Sequence, residues 1–129
     1  MSDRDIIRTS NAPQAIGPYS QAVRAGNALY LSGQIPLDPA TGEIVGGDIA
    51  AQARRVFDNL KAVLDAGGAS FADVVRVGIY LADLGDFAAV NEVMKQYFSE
   101  PYPARSTIGV SALPRGAAIE VDAIAVLDR

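Results

Sequence analysis

Ten residues near the C-terminus, Ala118 to Leu127, constrain the fold more than any other stretch of the chain. Strand side chains alternate between faces. Here Ile119, Val121, Ala123 and Ala125 fall on one face, and Glu120, Asp122, Ile124 and Val126 on the other. The first is a core face. The second fits neither usual environment, because a solvated face rarely carries Ile with Val and a closed core rarely carries unpaired Glu with Asp. A subunit interface that encloses a polar pocket accommodates both. The segment therefore predicts a sheet packed inside the chain on one face and covered by further copies on the other.

The remaining segments supply the sheet and its helices. Asp5 to Thr9 reads as a short first strand, and Ser10 to Pro18, rich in turn residues, as a loop. Tyr19–Ala25 and Ala28–Gln34 are strands joined by a Gly26-Asn27 hairpin turn. The second places Leu29, Leu31 and Gly33 on one face and Tyr30, Ser32 and Gln34 on the other. Its Ser-Gly-Gln ending has two readings: a plain strand end before Pro36, or a glycine that permits a bulge or the close approach of a ligand. In Val74–Leu81, Val75, Val77, Ile79 and Leu81 alternate with Val74, Arg76, Gly78 and Tyr80. In Tyr102–Val110, Arg105, Thr107 and Gly109 alternate with Ser106, Ile108 and Val110, which predicts that Ile108 and Val110 pack on a core while Arg105 points away from it.

Apolar residues spaced at three and four predict a helix from Asp48, its N-cap, to Ala66, with an exit through Gly67-Gly68. A second helix is predicted from an Asp86 cap to about Ser99, with Phe87, Val90, Met94, Tyr97 and Phe98 on its inner side and Pro101 beyond its end. Asn91 lies one position past that stripe, either as a plain polar residue or reaching into a cleft. The sum is a single α+β domain over residues 1–129, with two helices on one face of about six mostly antiparallel strands.

Two residue types missing from the composition decide the chemistry. Without cysteine there is no disulfide, thiol nucleophile or cysteine-type zinc site, and without histidine the commonest general base and metal ligand is gone as well. A serine–histidine hydrolase is excluded. Asp83 and Asp86 fall far short of the six to eight oxygens of a calcium site, so no metal is expected. Nine arginines and two lysines are scattered through a chain of net charge −4, which argues against nucleic acid as a partner. No apolar run reaches the ~18 residues of a membrane span, and the first residues lack the apolar stretch of a signal peptide. The expectation is a cytoplasmic protein with no membrane partner.

Catalysis must then run on carboxylates, tyrosine, hydroxyls, backbone groups and arginine. Arg105 suits an anion clamp, because a planar guanidinium binds a carboxylate or a phosphate through two parallel hydrogen bonds. Glu120 suits a carboxylate base that orients or deprotonates a water. If the last two strands form a hairpin, Arg105 pairs near Ile124, on the order of 13 Å along the strand from Glu120. A site using both residues would then more easily take them from two chains.

Several motifs in register extend this reading: Asn11-Ala-Pro with Ile16-Gly-Pro-Tyr-Ser20, Leu31-Ser-Gly-Gln-Ile-Pro36, Gln52-Ala with Asn59-Leu, Asp86-Phe with Val90-Asn91, Pro103-Ala-Arg-Ser106 and Ile119-Glu-Val-Asp-Ala123. With these the chain resembles the Rid proteins, the reactive intermediate deaminases also called the YjgF-like group. The resemblance implies a chorismate-mutase-like fold, a homotrimer and clefts between its subunits. It also implies cofactor-free hydrolysis of 2-imino acids, such as 2-iminobutanoate and 2-iminopropanoate, to 2-oxo acids and ammonia. Carried over, the carboxylate-binding arginine falls on Arg105, the water-orienting glutamate on Glu120, the cleft tyrosine on Tyr19, the Ser-Gly-Gln pair on Ser32 and Gly33, and the helix asparagine on Asn91. Thr107 stands in the substrate site where many members have cysteine, and Gly109 where a larger residue is common. The competing reading is a non-catalytic module that binds a small carboxylate such as a 2-oxo acid. RNA cleavage, proposed for some relatives, is opposed by the acidic balance and the missing histidine.

Overall fold

The computed structural model describes residues 4–128. Six strands form one sheet: β1 (Arg4–Ile7), β2 (Ala22–Ala25), β3 (Ala28–Gln34), β4 (Val74–Leu81), β5 (Ala104–Gly109) and β6 (Ile119–Val126), in the order β1-β2-β3-β6-β4-β5. All neighbours run antiparallel except β4 and β5. Helices α1 (Ile49–Ala66) and α2 (Phe87–Met94) pack on one face. The architecture is the expected α+β one.

Between α1 and the sheet lies the core, where Val56, Phe57, Leu60, Val63 and Leu64 meet Leu29, Val77, Ile79, Val121 and Ala125, all essentially buried. The α1 boundaries follow from its ends. Asp48 Oδ1 accepts the Ala51 amide at 2.9 Å, satisfying one of the donors left open at a helix start. At the other end Gly68, at φ 75°, turns the chain out of the helix. Asp48→Ala is expected to cost about 1 kcal/mol of stability, read as a lower urea midpoint at unchanged m-value. An unchanged midpoint would deny the cap its role.

The second helix is shorter than predicted. It stops at Met94, and residues 95–97 continue as turns, with Gln96 N–H donating to Val93 O and Phe98 N–H to Met94 O. Asp86 makes no side-chain capping bond; Asp83 Oδ1 instead accepts the Gly85 amide in the preceding turn.

Three face assignments are corrected by the sheet. Between Leu31 and Gln34 β3 bulges against β6, so Gln34 shares the helix face with Val121 and Gly33 turns to the open face. A second irregularity, between Val74 and Arg76 on β4, buries Val74 and leaves Val75 exposed. The third concerns β5, which pairs with β4 and not with β6, because β6 inserts between β3 and β4. Arg105, Thr107 and Gly109 align with Val77, Ile79 and Leu81, so they lie on the helix face, while Ile108 aligns with Tyr80 on the open face and is 48% exposed. An edge strand reaches past the cover of α1, so its inward face is free to be polar.

Tyr30, Tyr80, Asp122 and Ile124 share the open face with Ile108. Among the described residues no helix covers them.

Candidate active site

Glu120 sits on β6 in contact with the bulge of β3. A side chain at position 33 would collide with its carboxyl group: an ideal Cβ there would meet Glu120 Oε2 and lie 2.9 Å from Cδ. Gly33 is thus a glycine because a carboxylate lies across its backbone, and the close approach anticipated at Ser-Gly-Gln is made by the protein's own glutamate. Asp122, two residues on, lies across Gly78 of β4 in the same way and accepts a 3.0 Å hydrogen bond from the Tyr80 hydroxyl. Burial, then the charge of Asp122, push the Glu120 carboxyl above its ordinary value.

That shift gives a direct test. Replacing Asp122 by asparagine removes the repulsion and leaves the burial, so the Glu120 titration is expected to move to lower pH without reaching the value of an exposed glutamate. Carbon NMR of the Glu120 carboxyl would read it. A titration that stays in place in Asp122→Asn would exclude Asp122 as a cause.

Around Glu120 is a cavity of about 390 Å³, whose lining includes Tyr19, Ser32, Gly33, Ile35 and Pro114. Its walls are fixed by side-chain amides. Gln21, 5% exposed, accepts the Thr9 amide at 2.8 Å and donates to Thr9 O and Pro13 O. The fully buried Asn59 donates to Leu37 O at 2.9 Å, and Gln52 Oε1 accepts the Ala118 amide at 3.1 Å, just ahead of Glu120. Nothing in the residue pattern around Gln21 points to this role. For Gln52 and Asn59 the signal was their place on the first helix among apolar neighbours, where a polar side chain needs a partner. Ser32 donates its hydroxyl to Ser20 O at 2.5 Å and its amide to Gln21 O at 3.0 Å, tying down the segment that carries Tyr19. The Tyr19 side chain is 53% exposed at the rim.

Arg105 lies elsewhere. It is on the opposite face of the sheet, two strands across from β6, and through Val77 it aligns with Ala123, three positions from Glu120. That separation is about 10 Å across and about 10 Å along the strands, so the hairpin register expected from sequence does not occur. Arg105 Nη1 donates to Asn91 Oδ1 at 2.6 Å and to Met94 Sδ at 3.6 Å, and Cζ stands 5.2 Å from the centre of the Phe87 ring. Asn91 therefore reaches a cleft. Phe87, expected inside, is 40% exposed and faces the guanidinium. With Tyr102 and Pro103, Arg105 and Asn91 line a second cavity of about 420 Å³.

The chain thus holds two separate groups of expected site residues: Tyr19, Ser32, Gly33 and Glu120 around one cavity, Asn91 and Arg105 around the other. Thr107 joins neither lining; its Oγ1 is buried and has no hydrogen-bond partner among the described residues. Gly109 has the Leu84 side chain over it, with Cγ 3.0 Å from where a Cβ would stand.

Comparison with known proteins places these features in a family. Residues 9–127 match the family model described as endoribonuclease L-PSP. The chain is 62% identical over 125 residues to protein DfrA of Myxococcus xanthus, covering 95% of each chain. It is 51% identical over 128 residues to a 2-iminobutanoate/2-iminopropanoate deaminase of Dermatophagoides farinae, covering 99% of this chain and 100% of the relative. The crystal structure of RidA from an Antarctic Psychrobacter superposes with a TM-score of 0.92 at 48% identity, covering 95% of this chain and 99% of that one.

Proposed function

The chain belongs to the Rid (endoribonuclease L-PSP) family, and from that premise we propose that it hydrolyses 2-imino acids such as 2-iminobutanoate and 2-iminopropanoate to 2-oxo acids and ammonia, without a cofactor. The observation that carries this reading is the preparation of two complementary groups. A guanidinium has one nitrogen anchored and the rest of its fork open, and a half-buried carboxylate is laid over a glycine in a cavity large enough for a small acid.

Arg105 grips the substrate carboxylate and so fixes the imine carbon. Glu120 holds a water against that carbon and takes its proton as the oxygen adds, while the C=N π pair moves to nitrogen, which is protonated. The carbinolamine nitrogen then takes a second proton, the C–N bond breaks and ammonia leaves as the hydroxyl gives up its proton and forms the C=O bond, so that the two protons gained by nitrogen balance the two lost by the water oxygen. Orientation supplies much of the rate, and the Tyr19 hydroxyl donates a hydrogen bond within the cleft. Thr107 follows Arg105 by two positions on the same face of β5, and imine hydrolysis needs no thiol there.

In this reading the two groups meet between subunits. The open sheet face carries exposed Tyr30 and Ile108 beside Asp122, and further copies of the chain cover it, as a homotrimer, so that Arg105 of one copy faces Glu120 of the next. RNA hydrolysis, which the family description suggests, has less support: the chain has no histidine and a net charge of −4.

The test is the rate of 2-oxo acid release when an amino-acid oxidase generates the imine in place. Acceleration over the spontaneous rate is the expected result. No acceleration with any imino acid, combined with 2-oxo acid binding that Arg105→Ala abolishes, would replace the deaminase by a carboxylate-binding module.

A further inference from the structure

We propose that Phe87 is a positioning residue, whose ring, together with Met94, sets the plane in which Arg105 presents its fork to a carboxylate. The inference rests on the carboxylate grip proposed above for Arg105. Positions 87, 91 and 94 are spaced by four and three, so they form one stripe along α2. All three converge on a single guanidinium: the Phe87 ring at 5.2 Å from Cζ, Asn91 Oδ1 at 2.6 Å and Met94 Sδ at 3.6 Å from Nη1. Two of these contacts occupy Nη1, while Nε and Nη2 have no hydrogen-bond partner among the described residues. A guanidinium held by hydrogen bonds at Nη1 alone could still swing about that anchor. The aromatic face removes this freedom, because a planar cation held against a ring keeps its plane, and the Nε–Nη2 edge is left pointing one way.

The backbone arrangement accounts for the ring's location. Gly109 admits the Leu84 side chain, whose Cγ and Cδ1 lie 3.0 and 3.2 Å from the place of a Cβ. The Leu84–Asp86 turn therefore settles onto β5, and α2 begins at the next residue. Core packing does not explain Phe87, which is 40% exposed, whereas Val90 on the inner side of the same helix is buried. Gly109, the Leu84 side chain seated on it and the ring over the arginine are parts of one arrangement.

The experiment uses protein with 15N-labelled arginine and 2-oxobutanoate as probe. Phe87→Leu keeps apolar bulk and removes the aromatic face; Phe87→Tyr restores the face. The expected result is faster motion of the Arg105 Nε–H group by NMR relaxation in Phe87→Leu and an affinity for 2-oxobutanoate lowered about three- to tenfold, with Phe87→Tyr returning both readouts to within about twofold of the unmodified protein. Unchanged Arg105 motion and affinity in Phe87→Leu, or a Phe87→Tyr variant as impaired as the leucine one, would overturn the proposal. If circular dichroism shows that Phe87→Leu does not fold, Phe87→Met makes the same comparison. Should Arg105→Ala bind the probe as well as the unmodified protein, the carboxylate grip itself fails, whereas the motional readout still reports whether the ring holds the arginine.

Discussion

Arg105→Ala is expected to lower kcat/KM for 2-imino acid hydrolysis by about 10²- to 10⁴-fold. The magnitude follows from the two charge-assisted hydrogen bonds that a fork makes to a carboxylate, each about 1.5–3 kcal/mol, at about 1.4 kcal/mol per tenfold. Most of the loss should appear in KM, because the carboxylate does not change along the reaction and the grip acts on ground and transition states alike. A part falls on kcat, since a loosely held imine carbon drifts from the water. Arg105→Lys keeps the charge and loses the fork, so it should recover only a fraction of the activity. The guanidinium is exposed and its contacts to Asn91 and Met94 lie at the edge of the core, so a fall in melting temperature is not expected. A variant that retains near-normal kcat/KM while folding normally would remove Arg105 from the site.

Glu120→Gln should fail in the opposite manner, with kcat reduced by about 10²- to 10⁴-fold, the range for loss of a general base, and KM little changed. Gly33→Ala is expected to approach the same phenotype without touching the carboxylate chemistry. Its backbone does not lie in the left-handed region, so alanine strains nothing locally, yet the added methyl occupies the space of the Glu120 carboxyl. Gly46→Ala, where nothing lies within 4 Å of the new Cβ, is the matched control and should be silent. Full activity in Gly33→Ala would mean that the position of the glutamate is unimportant.

Stability should move against activity in Glu120→Gln. The folded-state value of Glu120 is raised by burial and by Asp122. Between the ordinary glutamate value and that raised value the folded chain binds more protons than the unfolded one, so stability falls as pH rises through the window. Above it the carboxylate carries the whole cost. Glutamine removes that cost, so the variant should melt higher than the unmodified protein at neutral pH, and the gap should close once the pH falls below the ordinary glutamate value. A lower melting temperature at neutral pH would reverse the assignment.

Much of this was legible in the chain because it depends on short-range pattern. The alternation of Ile119, Val121, Ala123 and Ala125 requires a strand with one buried face, and the spacing from Ile49 to Leu64 with Asp48 before it requires a capped helix; both are found as read. The absence of histidine and cysteine limited the chemistry to arginine, carboxylate and hydroxyl before any geometry was known. Arg105 and Glu120 also stood out by residue type, whereas Gly33 was one of two readings of its strand end and entered the site only through the resemblance.

What the tertiary structure decided was how those residues face one another. Periodicity gives the two faces of a strand but not which is covered, and it fails where a bulge adds a residue. Hence Gly33, Val74 and Val75 lie on the faces opposite to their predicted ones. Nor does local pattern contain strand order: inserting β6 between β3 and β4 moved Arg105 beside Val77, onto the helix face, and away from Glu120. Phe87 counted as a core residue by spacing, and only the seat of Leu84 over Gly109, with α2 beginning at Phe87 itself, places its ring against a guanidinium. Composition and spacing are local properties of the chain, whereas pairing and burial are set by contacts between segments distant in sequence, which compete for the same neighbours.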